Sequence, residues 1–367
     1  MTTPIKVMSS LRRPLTMAAV VVIIAAASTR PAAAAGSQPV TTLPVSFQVQ
    51  NTNTSGVLCP SDGATYAVRG HLTGPRAALR GSAPKAVELY LGGFDAGGEW
   101  TWRFTAVSGH NFSDQMAKQG HVSLTVDMLG YGASGHPDGF QACLGSEADV
   151  THQIVQQLRR GIRAGPKTVK FSQVVLVGYD VGGTAAQIEA YSWKDIDGLI
   201  TLEIADQGRT PYLLGLATQA LRVCDQGGEP AQPGGRGGYM YFGPPDPEFR
   251  NTIFFNADTA VMRAVLDGPH RLRNRNPCGW VRSAISAFPT NTQRDSEITV
   301  PVMFMFANNS PIFTRDGEDH QRDNFTGTTD KTTVRIDNTG HFPMLERNAS
   351  KLRDAISAWL TDHQIKE

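Results

Sequence analysis

Short, largely apolar runs alternate along this chain with stretches in which apolar residues recur every three or four positions. The runs at residues 86–91, 122–128, 174–177, 199–204, 302–306 and 333–336 read as strands buried on both faces. Residues 148–162 place Val150, Ile154, Val155, Leu158 and Ile162 on one helical face, and residues 352–360 do the same with Leu352, Ala355, Ile356, Trp359 and Leu360. Residues 113–120 and 182–191 also read as helices, and residues 66–72 as an early strand. Residues 36–60 are polar, rich in Thr, Asn and Ser, and read as irregular chain. This alternation predicts an α/β fold with a mostly parallel central sheet and helices on both faces.

The alternation breaks once. Residues 206–299 contain no clear sheet strand, a Gly/Pro-rich stretch at 227–245, and two helical patterns at 258–266 and 281–287. We expect an inserted cap there, with the core formed by residues 36–205 and 300–367.

Residues 1–35 are set apart from the fold. Lys6, Arg12 and Arg13 precede an apolar run at 15–27, and small residues follow at 32–35. This is the pattern of a secretory signal peptide cleaved near Ala35. The alternative is a retained anchor, for which the run is short against the roughly 20 residues of a span. Arg12-Arg13 hints at twin-arginine export. Removing Lys6, Arg12, Arg13 and Arg30 takes four positive charges from a formal net charge of +1 and leaves −3. The expectation is a secreted or cell-envelope protein with no membrane contact after cleavage. Nothing in the charge balance marks a nucleic-acid binder.

Export gives the four cysteines a meaning. They are even in number and form no CxxC pair, so two disulfides are expected. Of three pairings we favour Cys59–Cys143 and Cys224–Cys278, the second lying within the insertion. No metal-ligand spacing and no cofactor fingerprint is present.

The chemistry concentrates in three places. A buried strand meets a helix through Gly178-Tyr179-Asp180-Val181-Gly182, the nucleophile-elbow pattern, with Asp180 at its centre. His341 follows Gly340 in a loop between the last strand and the last helix. The segment 91–98, Leu-Gly-Gly-Phe-Asp-Ala-Gly-Gly, can turn backbone N–H groups toward a developing anion, and the Phe94 and Val181 N–H groups would form an oxyanion hole.

With these landmarks in order, the chain resembles the α/β-hydrolase superfamily from about residue 86 to 363. Asp127, Gly130, Gly132 and Ser134 look like the superfamily's D-x-x-G-x-G-x-S loop. Three positions depart from the pattern. Gly92-Gly93 replaces the usual His-Gly, Asp180 stands where most exported relatives have serine, and Ser310 falls where the acid after the seventh strand is expected. The resemblance implies that an acid must come from elsewhere. Some relatives with an Asp nucleophile take it after the preceding strand, which makes Asp206 the first choice. Asp316, Glu318 and Asp319 are the alternatives.

An Asp at the elbow suits attack on saturated carbon, because attack on an acyl ester would only produce an anhydride. The resulting alkyl ester can be cleaved by water activated by a histidine. The pattern resembles epoxide hydrolases and haloalkane dehalogenases, acting on a small organic substrate. Tyr212, Tyr239 and Tyr241 in the insertion are candidate epoxide acids, and Trp100 and Trp102 are candidate halide partners. Epoxide opening is slightly favoured. The alternatives are a hydrolase scaffold repurposed for binding or for non-hydrolytic chemistry, with Asp180 as a general base, and an esterase relative with an altered nucleophile.

Overall fold

The computed structural model describes Met1 and residues 39–80, 86–94, 96–243, 253–267 and 275–365. The expected signal peptide and Asp95 of the oxyanion loop lie outside the described residues.

Eight strands form one sheet. They are β1 (Val40–Gln50), β2 (Thr65–Pro75), β3 (Ala86–Leu91), β4 (Ser123–Val126), β5 (Gln173–Tyr179), β6 (Gly198–Leu202), β7 (Val302–Ala307) and β8 (Lys331–Ile336). Their spatial order is β1-β2-β4-β3-β5-β6-β7-β8. β1 and β2 are antiparallel, as are β2 and β4, and every other pair is parallel. The central strands β3 to β7 are chiefly apolar and buried almost throughout, because both faces of the sheet are covered there. Leu89, Leu176 and Phe304 point into one core, and Tyr90, Val175, Val177 and Met303 into the other.

Helices α1 (Phe112–Lys118), α2 (Leu144–Arg160), α3 (Val181–Trp193), α4 (Pro211–Asp225), α5 (Thr259–Asp267), α6 (Cys278–Arg294), α7 (Arg315–Asn324) and α8 (Ala349–Asp362) supply the cover. Local chemistry starts several of them. The Asn111, Thr210 and Thr314 side chains each accept a backbone N–H in the first turn of α1, α4 and α7, and Pro211 fixes the first residue of α4.

Two elements differ from the sequence reading. β1 lies in the stretch read as irregular: Val45, Phe47 and Val49 are buried while Ser46, Gln48 and Gln50 face out. Its polar residues form one face of an alternating strand. Helix α7 has almost no apolar face and was not anticipated.

Between β6 and β7 the chain carries α4, α5 and α6, together with a two-residue pairing of Tyr239–Met240 with Asn276–Pro277. Both favoured disulfides are present. Cys224–Cys278 joins the end of α4 to the start of α6, and Cys59–Cys143 ties the chain after β1 to the start of α2. Among the described residues no helix is long and apolar enough to cross a membrane.

Candidate active site

The turn from β5 into α3 leaves no room for side chains on its flanks. A Cβ on Gly182 would stand 2.2 Å from the Gly92 carbonyl oxygen, so the elbow and the β3 loop approach only because this residue is glycine. Asp180 at the apex has φ 51° and ψ −133°, a conformation that L-residues rarely occupy. The strain lifts its side chain above the C-terminal edge of the sheet, next to the loop that follows β3.

That side chain then takes an informative position. Asp180 Oδ2 accepts the Phe94 N–H at 2.9 Å, and the Val181 N–H also donates to the carboxylate. The two expected oxyanion donors are therefore engaged by Asp180 itself. Gly93 makes this possible, since a Cβ there would lie 2.4 Å from both Asp180 Cβ and Oδ2. Burial pushes the Asp180 carboxyl up to about 6. The nearby His341 charge and the two N–H groups pull the other way.

His341 sits in the loop after β8, with its ring 5.3 Å from that of Tyr179. Its backbone N–H donates to the Ile253 carbonyl at 2.8 Å. Glu346 holds the loop by accepting the Gly340, Phe255 and Asn256 N–H groups. Nδ1 of His341 lies 3.0 Å from Glu203 Oε2 and 3.2 Å from Ser310 Oγ. The second Glu203 oxygen accepts the Ala307 N–H. The imidazole is thus oriented by a carboxylate and a hydroxyl, and Nε2 is left for chemistry.

The carboxylate on His341 is Glu203, not Asp206. Both follow β6, but Glu203 ends the strand directly, with φ 56°, and turns toward β7. Asp206 is buried three residues on. Its Oδ1 accepts from Asn291 at 3.2 Å, and it pairs with the buried Asp295. Asp316, Glu318 and Asp319 are also engaged elsewhere, Glu318 and Asp319 with Arg335 and Asp316 with His320. Glu203 was visible as the one acid in an otherwise apolar run at 199–204, a run read whole as strand.

Asp180 opens into a cavity of about 310 Å³ between α4 and α6. Its walls are apolar, formed by Leu213, Leu221, Val281, Ile285, Phe288, Phe313 and similar residues, with Asp180, Arg209 and Thr218 as the polar exceptions. The Arg209 guanidinium lies 5.0 Å from the Phe288 ring and donates to the Asp206 carbonyl. None of the tyrosines or tryptophans singled out in the sequence lines this cavity. The Tyr239 hydroxyl donates to Pro137 O at 2.9 Å, Tyr241 meets Arg275, and Trp102 packs against Tyr90, Phe112 and Tyr179. A second space of about 20 Å³, lined by Asp180 and His341 among others, is large enough for one water.

The strand order, the strained elbow and the acid–histidine pair agree with a match of residues 57–355 to the model of the alpha/beta hydrolase family. The chain belongs to the alpha/beta hydrolase family. Several solved structures of this fold are similar to it. The monoacylglycerol lipase of Paleococcus ferrophilus has a TM-score of 0.55 and 16% identity, over 77% of this chain and 96% of that one. A soluble variant of the Saccharomyces cerevisiae monoglyceride lipase has a TM-score of 0.57 and 15% identity, over 82% and 92%. An esterase from Exiguobacterium antarcticum has a TM-score of 0.56 and 16% identity, over 82% and 97%. At these identities the likeness is one of fold. No curated protein matches the chain. Within the family fold, the feature of this chain that bears most on chemistry is an aspartate at the elbow whose carboxylate accepts the Phe94 and Val181 N–H groups.

Proposed function

We propose that this protein is an exported hydrolase that uses Asp180 as a nucleophile on a saturated carbon of an apolar substrate and releases an alcohol. The observation that carries the reading is the hydrogen bond from the Phe94 N–H to Asp180 Oδ2. In a serine hydrolase these donors receive the substrate's carbonyl oxygen. Here a carboxylate oxygen occupies them, which argues against acyl-ester substrates. It also holds the oxygen on which negative charge appears when an Asp180 ester is hydrolysed.

The other Asp180 oxygen attacks carbon, and the bond to the leaving group breaks with its electron pair. His341 Nε2 then takes a proton from a water molecule, whose oxygen attacks Asp180 Cγ. The tetrahedral oxyanion forms on Oδ2, against the Phe94 and Val181 N–H groups. Collapse expels the alcohol, which takes its proton from the imidazolium. Glu203 and Ser310 orient the ring throughout.

The cavity lining favours a carbon–halogen bond over an epoxide. Epoxide opening calls for a proton donor at the departing oxygen, and among the described residues no tyrosine lines this cavity. A departing halide needs no proton, only a positive or hydrogen-bonding group, and Arg209 is a cation in the cavity lining. The apolar walls fit the hydrocarbon portion of such a molecule.

The test is a screen of haloalkanes and epoxides, followed by one turnover in ¹⁸O water with enzyme in excess. The first product should be unlabelled, and ¹⁸O should appear in the peptide carrying Asp180. Label passing directly into product would make Asp180 a general base. Rapid turnover of acyl esters would overturn the reading.

A further inference from the structure

We propose that His152, Glu189 and Asp195 form a binding site for a divalent transition-metal ion of the zinc type, apart from the catalytic site. The three residues are distant in sequence and form no spacing motif. His152 lies on α2, Glu189 on α3 two turns beyond the elbow, and Asp195 in the chain leaving α3. One potential ligand atom from each lies within 4.8 Å of the others.

The separations are those of neighbouring ligands around one metal ion, with the His152–Asp195 pair also within hydrogen-bond reach. His152 Nδ1 is 3.0 Å from Asp195 Oδ2 and 3.9 Å from Glu189 Oε1. Two ligands about 2.1 Å from a tetrahedral centre stand about 3.4 Å apart, and the observed values bracket that figure. Glu189 is fully buried, and neither of its oxygens has a hydrogen-bond partner. Asp195 Oδ1 has none either. Leaving a buried carboxylate unsatisfied is costly, and a cation between these atoms would satisfy all three residues together.

The surroundings hold the ligands in place. Trp193 stacks on the His152 ring at 4.7 Å and 10°, and Gln156 Nε2 donates to Asp195 Oδ2 at 2.5 Å. Metal sites use such outer contacts to fix ring and carboxylate orientation. The side chains of His152 and Asp195 are 23% and 18% exposed, which gives solvent access from one side, while Glu189 forms the floor. One imidazole and two carboxylates suit zinc, cobalt, nickel or manganese. Calcium, which takes six to eight oxygens, fits poorly. Two carboxylates also neutralise a divalent charge.

The test is titration of chelator-treated protein with zinc chloride, read by calorimetry and by melting temperature. We expect one equivalent bound with a rise in melting temperature. His152→Ala, Asp195→Asn and Glu189→Gln should each weaken zinc binding at least about tenfold. Glu189→Gln fills the same space, and circular dichroism should show it folded. Failure of the wild type to bind zinc would overturn the proposal, leaving a shared proton between Glu189 and Asp195. Binding that survives unchanged in all three variants would overturn it as well, by placing the metal on other histidines.

Discussion

Glu203 and Asp206 stand three residues apart on the same strand exit, yet only one touches the histidine. Replacing Glu203 by Gln keeps the size and removes the charge that stabilises the imidazolium formed when water is deprotonated. We expect hydrolysis of the alkyl-enzyme ester to slow by about 10²-fold or more, the scale of lost acid–base assistance, with the covalent ester accumulating in a mass spectrum of the quenched enzyme. Asp206→Asn should not produce that intermediate. If both variants behave alike, the 3.0 Å contact between Glu203 and His341 has no catalytic meaning. A second residue-scale consequence concerns pH. Asp180 must be ionised to attack, and its carboxyl is raised to about 6. The kcat/KM for a neutral substrate should therefore climb through about pH 6 on the acid side. An acid limb near 4 would mean that substrate meets an Asp180 without the burial seen here. Asp180, Val181 and His341 were legible in the sequence because tight turns demand glycines and glycines are easy to see. Glu203 was hidden because an acid inside an apolar run looks like a strand residue, and only the backbone turn at φ 56° shows that the strand has already ended.

At the scale of elements, legibility followed apolar pattern. β3 to β7 are chiefly apolar and almost wholly buried, and were found, within a residue or two at their ends. β1 was lost because a strand at a sheet edge shows only every second residue to the core, and its outward residues are the Thr, Ser and Gln that also mark loops. Helix α7 was lost because only Gly317, Glu318 and Gln321 are buried, none of them apolar enough to register. The pairing of Cys224 with Cys278, by contrast, could be inferred from both falling in one segment with few sheet residues. That bond joins α4 to α6, the two helices that wall the cavity. For a separation of 54 residues the chain-entropy ceiling is about 4 kcal/mol. We expect less, because the bond constrains the insertion and not the sheet. The double variant Cys224→Ser/Cys278→Ser should keep its sheet signal in circular dichroism, lose substrate affinity more than turnover, and be cleaved by protease first between α4 and α6. First cleavage within 40–200 would place the weak point in the sheet and contradict this.

For the whole molecule, several buried acids bias the pH dependence of stability in one direction. Asp206 is raised to about 7, chiefly by burial, and its partner Asp295 is raised well above the usual range by burial and by Asp206. Glu147 is pushed up to about 8 by burial. Each such group binds a proton more tightly folded than unfolded. Its contribution is fully present below the unfolded carboxyl value near 4 and is lost as pH rises through the folded value. The Asp206–Asp295 pair matters most for architecture, since it links the chain after β6 to the end of α6. Melting temperature should therefore fall between about pH 6 and 8. A single proton lost in that window costs about 1.4 kcal/mol per pH unit, or roughly 2–4 °C per pH unit for a chain of this size. Asp62 and Asp195 are shifted downward and work in the opposite sense, but only at acid pH, so they do not offset the fall above pH 6. Asp295→Asn removes one of the two ionisations and can still hydrogen-bond to Asp206. It should flatten the decline and make the protein more stable than the wild type at pH 8 while leaving it similar at pH 5. A calorimetric scan series over this range decides the matter: a wild-type profile that rises toward pH 8, or a variant that melts lower at pH 8, would show that the pair is not holding a proton in the folded state.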